Sequence, residues 1–372
     1  MNFPNRILLV VQALLLNSVQ GVCQPVNFSH LDVSDRLSQN SVIAITQDAK
    51  GFMWFGTRQG LNKYDSRKFT IYKNTPGNRS SISNNYIFCL LTDRNGQVWA
   101  GTQNGLNRYH FETDQFDLIP FEKDVTISNR DKEIICLFED SRGRIWAGTR
   151  NTLYLISDVR QPELAPVSRF TGNAFRLTNI NCVYEEAGVI WVGSDHGLVQ
   201  LHEQNGKFTI REIFHQEAGE TRLVDNQVKS IVKDKSNQLW IGTAHRGLHL
   251  YDPVTGTFRR YQNVNSRIAS DHIRKLLLDK EGNLWIGTQE GLSKMQPGTE
   301  QITTFVNDPW NEASLSQNSV HSLYMDKTGS IWVGTFFGGV NCFYSLHTPF
   351  TVFSTRSSKQ LNNNVVSSIV QD

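Results

Sequence analysis

Residues 93–106 read Asp-Arg-Asn-Gly-Gln-Val-Trp-Ala-Gly-Thr-Gln-Asn-Gly-Leu, and variants of this stretch recur along the chain. Each copy contains a tryptophan followed by a hydrophobic residue, a glycine, and then threonine or serine. The seven tryptophans are Trp54, Trp99, Trp146, Trp191, Trp240, Trp285 and Trp332. Their spacings are 45, 47, 45, 49, 45 and 47 residues. A repeat of this length predicts a β-propeller or another array of repeated units.

One copy contains four short segments with the composition of β-strands. Residues 87–91 form an apolar run with β-branched and aromatic members, which is typical of a buried strand. Residues 93–96 predict a tight turn, since Asp accepts backbone hydrogen bonds there and Gly adopts a positive φ. Residues 98–102, 105–109 and 115–119 complete the unit. Four antiparallel strands in about 45 residues make one propeller blade, so the sequence predicts an all-β, seven-bladed β-propeller.

Residues at fixed distances from each tryptophan are expected to build the blades. An acidic residue lies six positions before it: Asp48, Asp93, Asp140, Glu185, Asp234, Asp279 and Asp326. The turn glycine three positions before is replaced in unit five by Asn237, which tolerates the same left-handed conformation. A glycine always lies two positions after the tryptophan, and we expect each tryptophan to pack across the glycine of an adjacent strand. None of these repeated residues is interpreted as catalytic.

The ends of the chain differ from the repeats. Arg6 precedes an apolar run over residues 7–16, and polar and small residues follow, so residues 1–23 are predicted to be a secretory signal peptide of an exported protein. Lipidation of Cys23 is the alternative to simple cleavage. Residues 24–347 form the predicted propeller, and residues 348–372 resemble the start of a further one. The last residue, Asp372, aligns with the turn acid of an eighth unit, which predicts that the chain is a fragment.

A parallel between the two ends suggests how the ring closes. Residues 350–353 and 361–372 repeat the pattern of residues 24–28 and 37–48. We therefore expect the segment around residues 26–31 to supply the outer strand of blade seven. The segment around residues 350–353 would then begin the second propeller.

Charge and cysteine content exclude several classes of function. The 37 basic residues nearly balance the 35 acidic ones, and no basic stripe predicts nucleic-acid binding. Cys89 and Cys136 occupy the same strand position in neighbouring units. They are interpreted either as small buried side chains or as the two halves of a disulfide. His245 and His249 lie four residues apart but not on a helix, so neither a metal site nor a cofactor is predicted.

The pattern Asp-x-x-Gly-x-aliphatic-Trp-x-Gly-Thr-x-x-Gly-Leu resembles the two-component regulator propeller repeat, with good copies at residues 48–61, 93–106 and 279–292. This resemblance implies the periplasmic sensor region of a hybrid two-component histidine kinase of Bacteroidetes. Such proteins combine two propellers, a β-sandwich, a membrane helix and kinase domains. The resemblance implies that phosphorelay, membrane anchoring and homodimer formation depend on segments outside this chain.

Candidate ligand-binding residues lie in the turns between second and third strands, which vary while the surrounding repeat does not. These turns are expected to share one face with the connections between blades, around the mouth of the central channel. The candidates there are Arg58, Gln103, Arg150, Asp195, His196, His245, Arg246, Glu290, Phe336 and Phe337. Planar polar side chains suit sugar hydroxyls, and Arg also suits carboxylates or sulfates. Trp310, the tryptophan outside the repeat position, is a further candidate for sugar stacking or for a protein interface.

Three functions remain open on the sequence. The first is a periplasmic sensor that binds an oligosaccharide without catalysis. The second is a dimerisation or protein-interaction scaffold, with the ligand bound elsewhere. The third is a propeller glycoside hydrolase, which requires two carboxyl groups about 5–9.5 Å apart. Asp195 and Glu290 are the acids in the candidate turns, and they lie two blades apart.

Overall fold

The computed structural model describes residues 27–123, 125–168, 177, 179–214, 223–296 and 298–344. These residues form seven four-stranded antiparallel sheets, each of which is one blade. The predicted seven-bladed β-propeller is therefore confirmed. The signal peptide predicted at residues 1–23 and the second-propeller segment predicted at residues 348–372 lie outside the described residues.

The strands of the first four blades follow one another along the chain. The chain enters through β1 (Phe28–Leu31) and a 3-10 helix (Val33–Asp35). Blade one comprises β2 (Val42–Gln47), β3 (Met53–Thr57), β4 (Gly60–Tyr64) and β5 (Phe69–Tyr72). Blade two comprises β6 (Ile87–Thr92), β7 (Val98–Thr102), β8 (Gly105–His110) and β9 (Gln115–Leu118). Blade three follows helix α1 (Asn129–Lys132) and comprises β10 (Ile134–Glu139), β11 (Ile145–Thr149), β12 (Leu153–Ile156) and β13 (Ala165–Pro166). Blade four comprises β14 (Ile180–Glu186), β15 (Val189–Ser194), β16 (Gly197–Gln204) and β17 (Lys207–Phe214).

The last three blades complete the ring. Blade five comprises β18 (Val228–Lys233), β19 (Leu239–Thr243), β20 (Leu248–Asp252) and β21 (Thr257–Tyr261). Blade six follows helix α2 (Asn263–Ser266) and comprises β22 (Ile273–Leu278), β23 (Leu284–Thr288), β24 (Leu292–Met295) and β25 (Ile302–Phe305). Blade seven comprises β26 (Val320–Met325), β27 (Ile331–Thr335), β28 (Val340–Phe343) and the N-terminal strand β1. The first strand of every blade contacts the first strands of both neighbours, so these strands surround a central channel.

The closure expected from the sequence is present. Strand β1 pairs antiparallel with β28, with Phe28 opposite Phe343 and Leu31 opposite Val340. Phe28 is buried, and its ring lies 5.9 Å from that of Phe305 in blade six. Residues from the start of the described chain therefore complete the last blade, which joins the two ends of the ring.

The repeated acid and tryptophan hold each blade's first turn. In six of the seven described blades the indole Nε1 donates to the carboxylate six residues earlier, over 2.8 to 2.9 Å. Blade four has Glu185 instead, and its carboxylate accepts a hydrogen bond from the Ser141 hydroxyl of blade three at 2.7 Å. Asn237 takes a φ of 64°, in the left-handed region expected for the residue that replaces the turn glycine.

The expected packing of tryptophan across glycine is wrong. Trp54 and Gly56 lie two residues apart on one strand, so both face blade two. Trp54 contacts Tyr109 of that blade, with ring centroids 4.7 Å apart. A methyl group at Gly56 would lie 2.7 Å from Cγ2 of Ile87. The glycine therefore makes room for the start of the next blade's first strand.

The four cysteines within the described residues are free. Cys89, Cys136 and Cys182 pair with Gly101, Gly148 and Gly193 respectively, so three successive blades share this position. The structure thus favours small free side chains, with Cys136 buried and Cys89 half-buried, over a disulfide between these two residues. The equivalence of Cys182 was missed because unit four is one residue shorter between this strand and its tryptophan.

Candidate functional site at the channel mouth

Each first strand carries a β-bulge near its start. In blade one, Val42 and Ala44 pair with the consecutive residues Thr57 and Gly56, which leaves Ile43 without a partner in the ladder. The same shift occurs in the other six blades. The seven bulged residues line the channel and are here called the bulge ring: Ile43, Phe88, Ile135, Asn181, Lys229, Arg274 and His321.

The bulge ring has an apolar side and a polar side. Blades one to three contribute Ile43, Phe88 and Ile135, whereas the other four blades contribute amide, ammonium, guanidinium and imidazole groups. A cavity of about 370 Å³ opens on the polar side, lined by Asn181, Lys229, Ala244, His272, Ile273, Arg274, Gln289 and His321. The channel beneath it encloses about 210 Å³. This end of the channel is here called the channel mouth.

Aromatic rings and guanidinium groups form a continuous row along the mouth, from blade seven to blade three. The His321 ring stacks on Phe336 at 5.1 Å and 19°. The Arg58 guanidinium lies 4.4 Å from the centre of the Phe336 ring and 5.7 Å from that of Tyr86. Such cation–π contacts orient the guanidinium plane as well as its charge. The row continues from Tyr86 to Phe88, with centroids 4.5 Å apart, and then to Arg150, 5.9 Å from the Phe88 ring.

Two of the cations at the mouth are neutralised by carboxylates. Lys229 Nζ lies 2.7 Å from Oδ1 of Asp195, and the Asn179 and Asn181 side chains also donate to that carboxylate. Burial disfavours the charged carboxylate, but the hydrogen bonds from Lys229 and Asn181 outweigh it and hold the pKa of Asp195 below its usual value. Arg150 forms an ion pair with Glu133.

His321 and Arg274 occupy a different environment. Burial lowers the pKa of His321 to about 3, and the nearby positive charges of Arg274 and Arg58 act in the same direction. The imidazole is therefore neutral at physiological pH. Arg274 donates from Nη1 to the Ser319 hydroxyl at 2.6 Å. Burial also lowers the pKa of Arg274, an effect that the negative charge of Glu290 partly opposes.

Several of the sequence-predicted residues contact members of the bulge ring. The turns of blades five and seven are one residue longer than that of blade one. They are closed by hydrogen bonds from Thr243 to Gly247 and from Thr335 to Gly339.

The candidates differ in burial. The half-buried candidates at the mouth are Arg58, Arg150, Asp195 and Phe336. The exposed candidates on the turns are Gln103, His196, His245, Arg246, Glu290 and Phe337. Trp310 is 96% exposed in the connection between blades six and seven. His245 is exposed and His249 is buried, so these two do not share a site.

The sequence reasoning missed the bulge ring. Its members lie eleven residues before the repeat tryptophan in six units and ten before it in unit four. This position varies from Ile to Lys between the copies, which is the signal that could have identified it. It was assigned to the strand interior because a bulge cannot be distinguished from regular alternation in a short apolar run.

A larger concavity lies at the outer rim, between blades two and three. It measures about 610 Å³, and its lining includes Asn74, Arg108, Leu118 and Pro162. No aromatic ring contributes to this lining within the described residues. We favour the smaller channel mouth because side chains from all seven blades converge there and four of the seven in the bulge ring are charged or polar.

Known proteins resemble this chain in both sequence and fold. The family model described as two component regulator propeller matches residues 36–59, 81–104, 130–151, 222–245, 267–290 and 314–337. The fold and these matches define a propeller built from regulator repeats. The chain belongs to the two-component regulator propeller repeat family, as the resemblance implied.

The relatives that were found include signalling proteins. Histidine kinase P4 of Formosa agariphila is 44% identical over 233 residues, which is 60% of this chain and 16% of that protein. The extracellular domain of the hybrid two component system BT3049 from B. thetaiotaomicron is 27% identical, with a TM-score of 0.73 over 94% of this chain and 46% of that one. The extracellular domain of BT4673 from the same organism shares the fold, at 24% identity and a TM-score of 0.67 over 85% of this chain and 39% of that one.

Among the described residues, no helix has the length and apolar character needed to cross a membrane. The chain spans less than half of each structure above and about one sixth of the kinase.

Proposed function

We propose that this chain is the exported, periplasmic ligand-binding region of a hybrid two-component histidine kinase, and that it senses an oligosaccharide at the channel mouth. The observation that carries the proposal is the 370 Å³ cavity over the polar side of the bulge ring, in a chain whose relatives include extracellular domains of two-component systems. Phosphotransfer and membrane anchoring belong to the longer protein.

The chemistry of the mouth suits a sugar. Amide side chains of Asn181 and Gln289 can each donate to and accept from hydroxyl groups, and neutral His321 can do one of each. The exposed ring of Phe337, 63% accessible, can cover the apolar face of a pyranose. Specificity then comes from a few fixed polar groups within a concave site.

The chain would act by binding and not by catalysis. Asp195 is occupied by Lys229 and two asparagine side chains, so it is a poor general acid or base. Ligand would favour one arrangement of a dimer of the full-length protein. The resulting change in kinase activity is limited by the difference in ligand affinity between the two arrangements.

Ligand binding is tested by thermal-shift screening of this chain against neutral, uronic and sulfated oligosaccharides. A ligand at one hundred times its dissociation constant should stabilise the folded chain by ~2.7 kcal/mol. Gln289→Ala and Phe337→Ala should weaken the response, and Lys68→Ala, in a turn on the opposite face, should not. A panel that binds nowhere, or a response equal in all variants, would contradict the proposal.

Coupling to signalling requires the full-length kinase. Ligand should change autophosphorylation of the membrane-bound protein, and Gln289→Ala should shift that response to higher ligand concentration. A ligand that binds the mouth but leaves kinase activity unchanged would reduce the site to a binding function without a sensory role.

A scaffold function is the second candidate. It is favoured by two apolar side chains close together in sequence, Trp310, which is 96% exposed, and Val306, which is 46% exposed. Large apolar side chains on a surface frequently mark a protein interface. Sedimentation of the full-length extracellular region distinguishes the two functions: Trp310→Ala would weaken self-association if this loop is an interface. It would leave self-association unchanged if the loop has no such role.

A further inference from the structure

Among the described residues, two half-buried guanidinium groups at the channel mouth lack a carboxylate partner. Arg274 of blade six lines the mouth cavity together with His321 of blade seven, and Arg58 of blade one lies 4.4 Å from the Phe336 ring on which His321 stacks. Within the described part of the chain, neither forms an ion pair, and the buried Nε of Arg58 has no hydrogen-bond acceptor. Glu290 is the acid whose charge reaches Arg274, and its side chain is on an exposed turn.

The neutralised cations of the mouth provide an internal comparison. Arg150 occupies the same turn position in blade three as Arg58 does in blade one, yet it pairs with Glu133. Lys229 pairs with Asp195. Among the described residues, the half-buried cations of the mouth thus include matched groups with and without a partner, and those without one lie on either side of His321.

Burial of an unpaired cation is unfavourable, and a bound anion would relieve that cost. Arg274 already shows the effect, since burial lowers its pKa. Guanidinium groups also present paired N–H donors whose geometry fits carboxylate and sulfate oxygens. His321 has a buried Nε2 without a hydrogen-bond partner, so it can bond a neighbouring hydroxyl without adding positive charge.

We propose that the channel mouth selects an oligosaccharide carrying an anionic group, a carboxylate or a sulfate ester, and that Arg58 and Arg274 bind this group beside His321. The proposal rests on the proposed function and adds the chemical class of the ligand. The exposed ring of Phe337, whose centroid lies 4.2 Å from that of Phe336, is placed to cover the sugar next to the anionic group.

The test is isothermal titration of this chain with oligosaccharides matched in length that are neutral, uronate-bearing or sulfated. We expect the anionic sugars to bind at least about tenfold more tightly than the neutral ones. Arg58→Gln and Arg274→Gln should each remove most of that preference. Rising salt concentration should weaken anionic sugars and leave neutral ones nearly unchanged. Comparison of the uronate and sulfate series identifies which anion the site prefers.

The matched control is the double variant Arg94→Gln with Glu139→Gln, which removes a paired cation and its partner together at the turns between first and second strands, on the face opposite the mouth. It should retain the preference for anionic sugars. Circular dichroism melts of all variants verify that each is folded. Retention of the preference in both Arg58→Gln and Arg274→Gln would overturn the assignment of these residues.

The remaining outcomes separate this inference from the proposed function. Equal affinity for neutral and anionic sugars would overturn the inference and leave oligosaccharide sensing intact. Sodium sulfate or acetate binding as tightly as the sugars would overturn both, because the sugar would then contribute nothing. A full panel without binding would also overturn both.

Discussion

The indole Nε1 of Trp54 donates to Oδ2 of Asp48 at 2.8 Å, while Oδ1 of the same carboxylate accepts the backbone N–H of Phe52 at 3.0 Å. Both residues are fully buried. One carboxylate thus satisfies a turn and a tryptophan at once, which requires two acceptor oxygens. An amide has only one, so the choice of Asp at this repeated position follows from the two donors that approach different oxygens of its side chain.

Asp48→Asn should therefore destabilise the propeller by about 1–3 kcal/mol, the cost of leaving one buried donor unsatisfied. Urea unfolding measures the change through its midpoint. Asp65→Asn is the matched control: there a single oxygen accepts both turn N–H groups, from Arg67 and Lys68, and an amide oxygen can replace it. Equal losses in the two variants would contradict this account.

Closure of the ring depends on β1. Phe28 is 5% exposed and packs between the rings of Phe305 and Phe343. Phe28→Ala should cost about 3–5 kcal/mol, as for other buried aromatic truncations. Ile71→Ala, on the outer strand of blade one where the side chain is 41% exposed, should cost much less. A loss for Phe28→Ala as small as that of the control would show that β1 does not close the ring in solution.

The sequence predicted the fold because each blade repeats its own local signals. A turn acid, a turn glycine and an invariant glycine after the tryptophan specify strands without knowledge of distant contacts. Closure was also predictable, since the two ends of the chain repeat one pattern. Packing between blades was not: Lys327 donates to Gln47, 280 residues away, and no local pattern reports such a contact.

The candidate site was only partly predictable. Variable turns identified Arg58, Arg150, Asp195 and Phe336 because they differ where the scaffold repeats. The bulge ring was missed, since the extra residue of a bulge breaks the two-residue alternation from which side-chain direction is inferred. Charge pairing at the mouth depends on the connections between blades. Arg150 pairs with Glu133, whereas Arg58 forms no ion pair among the described residues.

Gly56→Ala should destabilise the interface between blades one and two. The added methyl group would lie 2.7 Å from Cγ2 of Ile87 and 3.3 Å from Cβ of Ala44, so the blades must move apart. The expected cost is about 1–3 kcal/mol. In a double-mutant cycle with Ile87→Ala, the combined loss should be smaller than the sum, because the truncated side chain leaves room for the methyl group. Additive losses would contradict direct contact.

The cysteine thiols should be inert in the folded protein. Burial raises the pKa of Cys136 and of Cys182 to about 12, so almost no thiolate is present at neutral pH. The same cause holds the pKa of Cys89 well above its usual value. A thiol reagent at pH 8 should modify these three residues only after denaturant is added. Rapid labelling in native buffer, or a disulfide in the intact mass, would contradict the structure.

His249 should make the propeller sensitive to acid. It is fully buried in β20, and neither ring nitrogen has a hydrogen-bond partner among the described residues. Burial lowers its pKa from 6.5 to about 4; the charge of Arg260 acts in the same direction and that of Asp225 opposes it. Below pH 6.5 the unfolded chain therefore binds a proton that the folded chain does not. The stability is complete above about pH 6.5, and about 3 kcal/mol is lost as the pH falls towards 4.

Asparagine occupies the position of His249 in the third strands of blades one, two and seven, so His249→Asn is the variant that tests this prediction. Asn62, Asn107 and Asn341 each accept a backbone N–H from the connection that precedes their blade, over 2.7 to 2.9 Å. His249→Asn should supply the same bond and flatten the dependence of the unfolding free energy on pH between 7 and 5. The reciprocal Asn107→His should steepen that dependence. If both variants keep the pH profile of the parent, the acid sensitivity does not arise at this position.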